Sequence, residues 1–413
     1  MSGDPIGMSL PLSLNRTGRR LRASLSRAVD LASRVPKTRG IAVLDDFFPN
    51  PLSAFRFEEY RSYLEKMTDL VVFTTGRSAV GFDQTRNLRQ IIAEHIAIHP
   101  EHSGRVLPMR PRVLPVADAY YTIFFHNISQ FFHDIEERGK PFAFTLYPGG
   151  GFALGEPTTE ATLARILGSP GFRGVIATQP ITRDYLLAKG FCDPAQVRYI
   201  PGCTIARTAF EAPRDKLRYG IDKPELDICF VANRYTPTGA DKGYDLFADA
   251  ARAVCAAGAT ARFHVVGPFS ETIIPLGEAA GRVRFYGPQP REFFAGFYRQ
   301  MDIILSPVRS FVRNPGVFDG FPTAACVEAG LQAVAVFTTD ELALNDRYVD
   351  GKEIVLVKAD KDDIVARLLQ YASEPARLAE IGECGRAAMV DGFSYATQIE
   401  PRLDLLRSLL AQP

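Results

Sequence analysis

The chain has 413 residues, enough for two or three domains at about 100–200 residues each. Hydrophobic residues make up 46% and charged residues 23%, with a formal net charge of +1; this composition excludes a disordered chain and a strongly basic nucleic-acid-binding surface. No run approaches the roughly 20 apolar residues that span a bilayer. The first basic residues follow a weak apolar stretch, the reverse of a secretory signal, so a cytoplasmic location is expected.

Residues 1–39 read as a basic N-terminal extension. Between Arg16 and Arg39 lie eight basic residues and one acid, Asp30, with Leu21, Leu25, Val29 and Ala32 at helical spacing. That pattern fits an amphipathic helix making peripheral contact with the inner face of an anionic membrane through 16–39; the plainer reading is a solvated extension or one packed on the body. Six cysteines are scattered through the rest without a C-x-x-C pair, which points to free thiols. Cys229, inside the apolar run Ile228–Val231, is expected to be buried.

Folded structure is predicted to begin with a buried strand at Gly40–Leu44, followed by the polar loop Asp45-Asp46-Phe47-Phe48-Pro49. A helix near Phe57–Met67 and a strand at Leu70–Thr74 come next. Further strands are predicted at Ala119–Phe125, Phe142–Leu146 and Gly174–Thr178, with helical stretches between. A break falls near Ile200-Pro201-Gly202, and the alternation restarts with strands at Asp227–Ala232, Ala261–Val266, Val283–Tyr286, Asp302–Leu305, Ala333–Phe337 and Glu353–Val357. Helices at Tyr244–Ala257 and Arg291–Gln300 fit between these strands. Alternating strands and helices imply parallel sheets with helices on both faces. The reading is α/β: two facing, Rossmann-like, doubly wound domains, residues 40–205 and 206–385. A C-terminal helical segment, 386–413, is expected to cross back onto the first domain. Ligands of such sheets bind at the carboxyl ends of the strands, and two facing domains make a cleft.

Three stretches carry residues suited to chemistry. The loop after Ile228–Ala232 places Arg234 and Lys242 ahead of a helix starting near Tyr244. Two cations and the free N–H groups of a helix N-terminus suit a diphosphate; the bland alternative is a pair of solvated loop cations. The segment Phe318–Gly330 has small residues at 323–326 that allow close approach to a ligand, and Glu328 is placed to accept hydrogen bonds from ribose hydroxyls or simply to face solvent. The loop Gly149-Gly150-Gly151 follows a strand and lets backbone N–H groups approach an anion or a sugar, or is a flexible loop. It is neither a dinucleotide fingerprint nor a phosphate loop. Among the six histidines, His126 falls at a strand's end and is a candidate site residue. His95 and His99 lie four apart, as two helical ligands would. Without an H-E-x-x-H pattern or a nearby carboxylate triad, no metal site is expected there.

The ordered pieces FVANRYTPTGADKG, RFHVVGP, VRFYGPQPREFFAGFYRQMDIILSP and DGFPTAACVEAGLQAVAVFTTD resemble the donor-binding domain of retaining glycosyltransferases of the GT-B fold, the group 1 or family 4 set. VIATQPITRDYLLAKGFCDPAQVRYIPG resembles that family's link between domains, so the likeness covers roughly residues 40–400. The resemblance implies that Arg234 and Lys242 hold the donor diphosphate and that Glu328 holds the ribose. Gly267 and Pro268 would border the nucleotide pocket, and Gly320, Phe321, Pro322 and Thr323 would lie near the donor sugar and phosphates. Gly149, Gly150 and Gly151 would face the phosphates from the first domain. It also implies no cofactor and no bound metal, a nucleotide-sugar donor, a glycan or lipid-linked acceptor, and no nucleic acid partner. The family usually places two glutamates with seven residues between them; here that position is Gly320, with Asp319 one residue further out. Either the loop carries an insertion or the first acid is absent. Tyr147 stands where many members carry histidine. Two alternatives remain at this level: a non-catalytic binding module, and a nucleotide-sugar epimerase, which needs a carboxylate and histidine pair in the cleft.

Overall fold

Apolar runs between helices become two all-parallel sheets in the computed structural model of the chain, which describes residues 35–82, 85–110 and 113–411 (backbone alone at 81 and 82). The basic reading of 16–39 therefore lies outside the described residues except at 35–39, where Lys37 bridges Val116. The first sheet comprises β1 (Ile41–Asp45), β2 (Leu70–Thr74), β3 (Val106–Pro108), β4 (Ala119–Ile123), β5 (Phe142–Leu146), β6 (Phe172–Ala177) and β7 (Val197–Tyr199). Their order is β3-β2-β1-β4-β5-β6-β7. The second comprises β8 (Leu226–Val231), β9 (Ala261–Val266), β10 (Val283–Gly287), β11 (Ile303–Ser306), β12 (Ala335–Thr338) and β13 (Val355–Leu356), in the order β10-β9-β8-β11-β12-β13.

The central strands are buried along nearly their whole length, as sheets covered on both faces require. Every strand anticipated from the sequence is present, with ends displaced by a residue or two. The two unanticipated strands, β3 and β7, are three-residue strands, both at a sheet edge. Strands that short, one ending in Pro108, leave almost no periodic signal.

In each sheet the strand order reverses once, between β1 and β4 and between β8 and β11. At such switch points the loops part and leave a crevice at the carboxyl ends. Residues 45–46 and 124–126 border the first crevice; 232–243 and 307–323 border the second.

The helix Pro375–Gly392 runs unbroken and packs on β12 and on the helix Ala324–Leu331 of the second domain. The chain returns after it, through Phe393. The helix Glu400–Leu410 then lies against β4, β5 and β6. The return is thus present, but it begins after Gly392 rather than at 386. Gly202, in the link between the sheets, has φ +81°, and a Cβ there would sit 2.5 Å from the Phe393 ring. Link and returning segment therefore pass each other at a distance only glycine permits.

One buried cluster anchors the return. Arg402 is fully buried and gives hydrogen bonds to the Gln398 carbonyl (2.6 Å), to Gln398 Oε1 (3.0 Å) and to Tyr147 Oη (3.2 Å). Its Nε lies 3.7 Å from Glu59, which is also fully buried. Glu59 in turn accepts from the hydroxyls of Tyr63 (2.7 Å), Tyr121 (2.9 Å) and Tyr147 (2.6 Å).

Candidate active site between the two sheets

At the switch point of the second sheet, the loop after β8 turns tightly. Gly239 and Gly243 take φ of +73° and +74° and bracket a single 3-10 turn, Ala240–Lys242. A Cβ on Gly243 would lie 2.0 Å from the Pro307 carbonyl, so this loop and the one after β11 approach each other at backbone distance. The helix Tyr244–Ala256 starts there and is held by Tyr244 and Phe247 packed on Phe230.

Lys242 points its ammonium at Asp319 in a close ion pair and lies 5.2 Å from the centroid of the Tyr235 ring. Burial alone would lower its pKa; the Asp319 charge outweighs it and holds the ammonium protonated. Arg313 also lies against that ring, 4.8 Å from the centroid. Arg234 is exposed, with Nε bonded to the Pro268 carbonyl (3.0 Å) and Nη1 to the Pro237 carbonyl (2.8 Å). Its guanidinium is thus oriented by backbone, not by an acid. Gly267 beside it has φ +129°, and a Cβ there would meet the Ala232 carbonyl at 2.0 Å.

The helix Ala324–Leu331 begins at Thr323, whose hydroxyl accepts from the Cys326 N–H (3.4 Å). Glu328, in its second turn, is partly buried and has no hydrogen bond or ion pair among the described residues. Burial pushes its pKa up to about 7; Arg291 works against the shift and Glu58 adds to it. Arg291 itself pairs with Glu58 across the domain boundary. Gly320, Phe321 and Thr323, with Asp319, line an open recess beside Thr338 and Thr339.

The first domain reaches into this region. Gln179 Oε1 accepts from the Phe321 N–H (3.1 Å), and the Leu154 N–H donates to the Gly316 carbonyl (2.9 Å). A Cβ on Gly320 would lie 3.8 Å from Pro148, the neighbour of Gly149. The loop Gly149-Gly150-Gly151 has φ of +78°, +57° and +85°. A Cβ on Gly150 would overlap the Phe124 ring at 2.4 Å. Phe124 itself has φ +70°, a costly conformation for a bulky residue, and it sits at the end of β4 where the first sheet opens.

Beside it lies a polar cluster. His126 has Nε2 3.1 Å from Asp46 Oδ2 and Nδ1 3.2 Å from the Gly150 carbonyl. Asp46 also receives Arg56 (2.8 Å), Asn127 (3.3 Å) and the Ser78 hydroxyl. Burial tends to raise the Asp46 pKa, but the His126 hydrogen bond and the Arg56 charge hold it well below the usual carboxylate range.

Residues 225–374 match the family model for glycosyl transferases group 1. That match covers most of the second domain and none of the first sheet. Among solved structures the chain is similar to a glycosyltransferase from Rickettsia africae, at 13% identity and TM-score 0.63 over 91% of this chain and 100% of that one. It is similar to sucrose-phosphate synthase from Thermosynechococcus elongatus, at 15% identity and TM-score 0.64 over 90% and 100%. A third likeness is to Anabaena HepE in complex with UDP and glucose, at 14% identity and TM-score 0.59 over 89% and 100%. Curated protein sequences give no match. The overall fold is GT-B: two Rossmann-like domains facing across a cleft.

Within this glycosyltransferase fold, the anticipated residues gather into three groups. Arg234, Gly267 and Pro268 share one wall. Lys242 meets Asp319, with Gly320 and Phe321 next in the chain and Pro148 and the glycine loop opposite. Glu328 stands apart from the cations in contact terms and faces Arg291 and Glu58. The only D-x-D triplet of the sequence, Asp360-Lys361-Asp362, is accounted for by capping. Asp360 accepts from the N–H groups of Asp362 (2.9 Å) and Asp363 (3.0 Å) at the start of the helix Lys361–Ala372.

Arg313, Arg291, Glu58, Gln179 and the Asp46–Arg56 pair were not anticipated. The pair had a readable signal, since Asp45-Asp46 ends the first strand, where open sheets bind ligands. The others depend on contacts between residues more than 50 positions apart.

Proposed function

We propose that the chain transfers a sugar from a nucleotide-sugar to a glycan or lipid-linked acceptor, with retention of configuration and without a bound metal. The observation that carries this reading is that Arg234 and Lys242 both lie on the loop after β8, at the switch point of the second sheet and ahead of the helix Tyr244–Ala256, within the residues that match the group 1 family model. Negative charge grows on the departing nucleoside diphosphate as the glycosidic bond breaks, and preoriented cations and N–H groups stabilise it there. Asp319 holds the Lys242 ammonium in a close ion pair. A diphosphate would displace or share that contact. Glu328 would accept the ribose hydroxyls, and the recess along Gly320–Thr323 would hold the sugar. The solved structures of Anabaena HepE with UDP-glucose and of TarM with UDP and alpha-GlcNAc-glycerol are consistent with this class of ligand.

The carboxylate and histidine pair that an epimerase needs is present as Asp46 and His126, yet both ring nitrogens of His126 face acceptors within the protein. Both nitrogens are engaged with groups of the first domain rather than presented to a substrate, which weighs against the epimerase reading. The test is incubation with a panel of nucleotide-sugars, following released nucleoside diphosphate and product anomer by NMR, with and without Mg²⁺. Transfer or slow donor hydrolysis with a retained anomer, unchanged by Mg²⁺ and abolished in Arg234→Ala/Lys242→Ala, is expected. An epimerised donor with no diphosphate release would overturn the reading, as would absence of any turnover.

Glu328 supplies a pH dependence. Ribose hydroxyls donate, so the carboxylate is the form that holds them, and with a pKa of about 7 it ionises as pH rises from 6 to 8. Nucleotide binding is expected to tighten across that interval, and Glu328→Gln should flatten the profile; calorimetry at several pH values checks both. The linkage runs the other way for folding. A raised carboxyl pKa stabilises the fold at low pH, and that contribution is lost as pH rises through about 7.

A further inference from the structure

Far from the cleft cations, at the β3 edge of the first sheet, three of the six histidines of the chain stack together. His95 and His99 lie on the last turn and C-cap of the helix Leu88–Ile98, and His102 ends the 3-10 turn Pro100–His102 just before β3. Ring centroids are 4.9 Å apart for His95 and His99, and 5.2 Å for His95 and His102 and for His99 and His102. Glu101 completes the group, its Oε1 3.3 Å from His99 Nδ1 and 3.8 Å from His102 Nε2. The spacing of His95 and His99 alone suggested no metal; the turn brings in the other ligands.

We propose that His99, Glu101 and His102 form a binding site for a first-row transition cation of the Zn(II) class, with His95 as the positioning residue. The three donor atoms lie within 4.8 Å of one another. Tetrahedral ligands at bond lengths of ~2.0–2.1 Å stand about 3.3–3.4 Å apart, so the His99–Glu101 spacing of 3.3 Å already fits, and His102, 3.8 Å from Glu101, closes on the other two as the ion binds. His102 is fully buried, and its Nε2 has no hydrogen-bond partner. A buried polar atom without a partner is costly, and here it sits beside two other donors.

His95 accounts for the tautomer. Its Nε2 lies 3.0 Å from His102 Nδ1. With His102 Nδ1–H donating to that nitrogen, the Nε2 lone pair of His102 is left for the ion, the arrangement in which an outer residue orients a metal-bound imidazole. Phe48 and Phe57 pack on the His95 ring at 5.2 and 5.6 Å and fix it. Glu101 is exposed and His99 is partly so, which gives the ion a path from solvent and leaves a coordination position open to water. Two nitrogens and one carboxylate oxygen suit Zn(II), Co(II), Ni(II) or Cu(II) rather than Mg²⁺ or Ca²⁺. The ion would clamp the turn to the helix end.

The test is titration of the untagged full chain with Co(II) and Zn(II) in metal-free buffer, read by visible absorption and calorimetry. One saturable equivalent is expected, with d–d bands of low coordination number and no thiolate charge-transfer band. Zn(II) should displace Co(II) and raise Tm. His99→Ala and Glu101→Gln, at positions that reach solvent, should keep the Tm of the metal-free chain and weaken binding by about tenfold or more, and His95→Phe should weaken it by roughly the same factor through orientation. Absence of saturable binding, a thiolate band, or affinity unchanged in His99→Ala and Glu101→Gln would each overturn the site. None of these outcomes depends on the activity proposed for the cleft.

Discussion

Lys242→Met is expected to weaken nucleoside diphosphate binding by about 10- to 100-fold, the loss of one charge-assisted contact, while leaving the fold intact. The ammonium lies between Asp319 and the Tyr235 ring with its side chain only 13% exposed, so its charge acts where water screens it little. Methionine keeps most of the volume. Asp319 is left without its cation, but its side chain is 35% exposed and water can solvate it. Asp319→Asn should act in the opposite direction on the diphosphate alone, since it frees Lys242 from an internal carboxylate. Arg234→Ala should cost less than Lys242→Met and show a steeper salt dependence, because its guanidinium is exposed and held by carbonyls alone. Calorimetric titration of the variants with a panel of nucleoside diphosphates decides the matter. Equal affinity in wild type and Lys242→Met would remove the diphosphate from this crevice.

The largest effect on stability is expected at Arg402. Arg402→Met should destabilise the chain by about 3–5 kcal/mol, the usual consequence of leaving one member of a buried ion pair without the other. Arg402 and Glu59 are both fully buried. Burial by itself disfavours the guanidinium charge; Tyr147 and Glu59 more than offset it and push the Arg402 pKa up. Three tyrosine hydroxyls already donate to Glu59, so after the substitution its charge is held by neutral donors only. The double variant Glu59→Gln/Arg402→Met should recover part of the loss, because neither charge is then stranded. Denaturant unfolding followed by hydrogen exchange in the helix Glu400–Leu410 measures this. A loss below about 1 kcal/mol in the single variant would mean that the return helix is held by its leucines rather than by this cluster.

How far the sequence could be read follows from the range of each interaction. Strands such as Ile41–Asp45 and Leu226–Val231 announce themselves because a parallel strand buried on both faces must be apolar throughout, a property carried by five or six adjacent residues. The turn glycines Gly239 and Gly243 and the cations Arg234 and Lys242 lie within ten residues of one another, so their loop was legible too. The edge strands Val106–Pro108 and Val197–Tyr199 were not. They pair on one side only and need little apolar length.

The sequence by itself determined the alternation of strands and helices, the division into two doubly wound halves, and the loop that presents cations at the end of β8. Each of these is a local demand of burial, turn geometry or charge. Only the tertiary structure decided that Asp319 faces Lys242 rather than solvent. It alone joined Glu58 to Arg291 across the cleft, and it placed Arg402 inside the first domain from the far end of the chain. The physical reason is the same in all three cases. A charge is fixed by the partner that desolvates with it, and that partner comes from whichever segment the fold brings alongside, at a distance along the chain that no local pattern records.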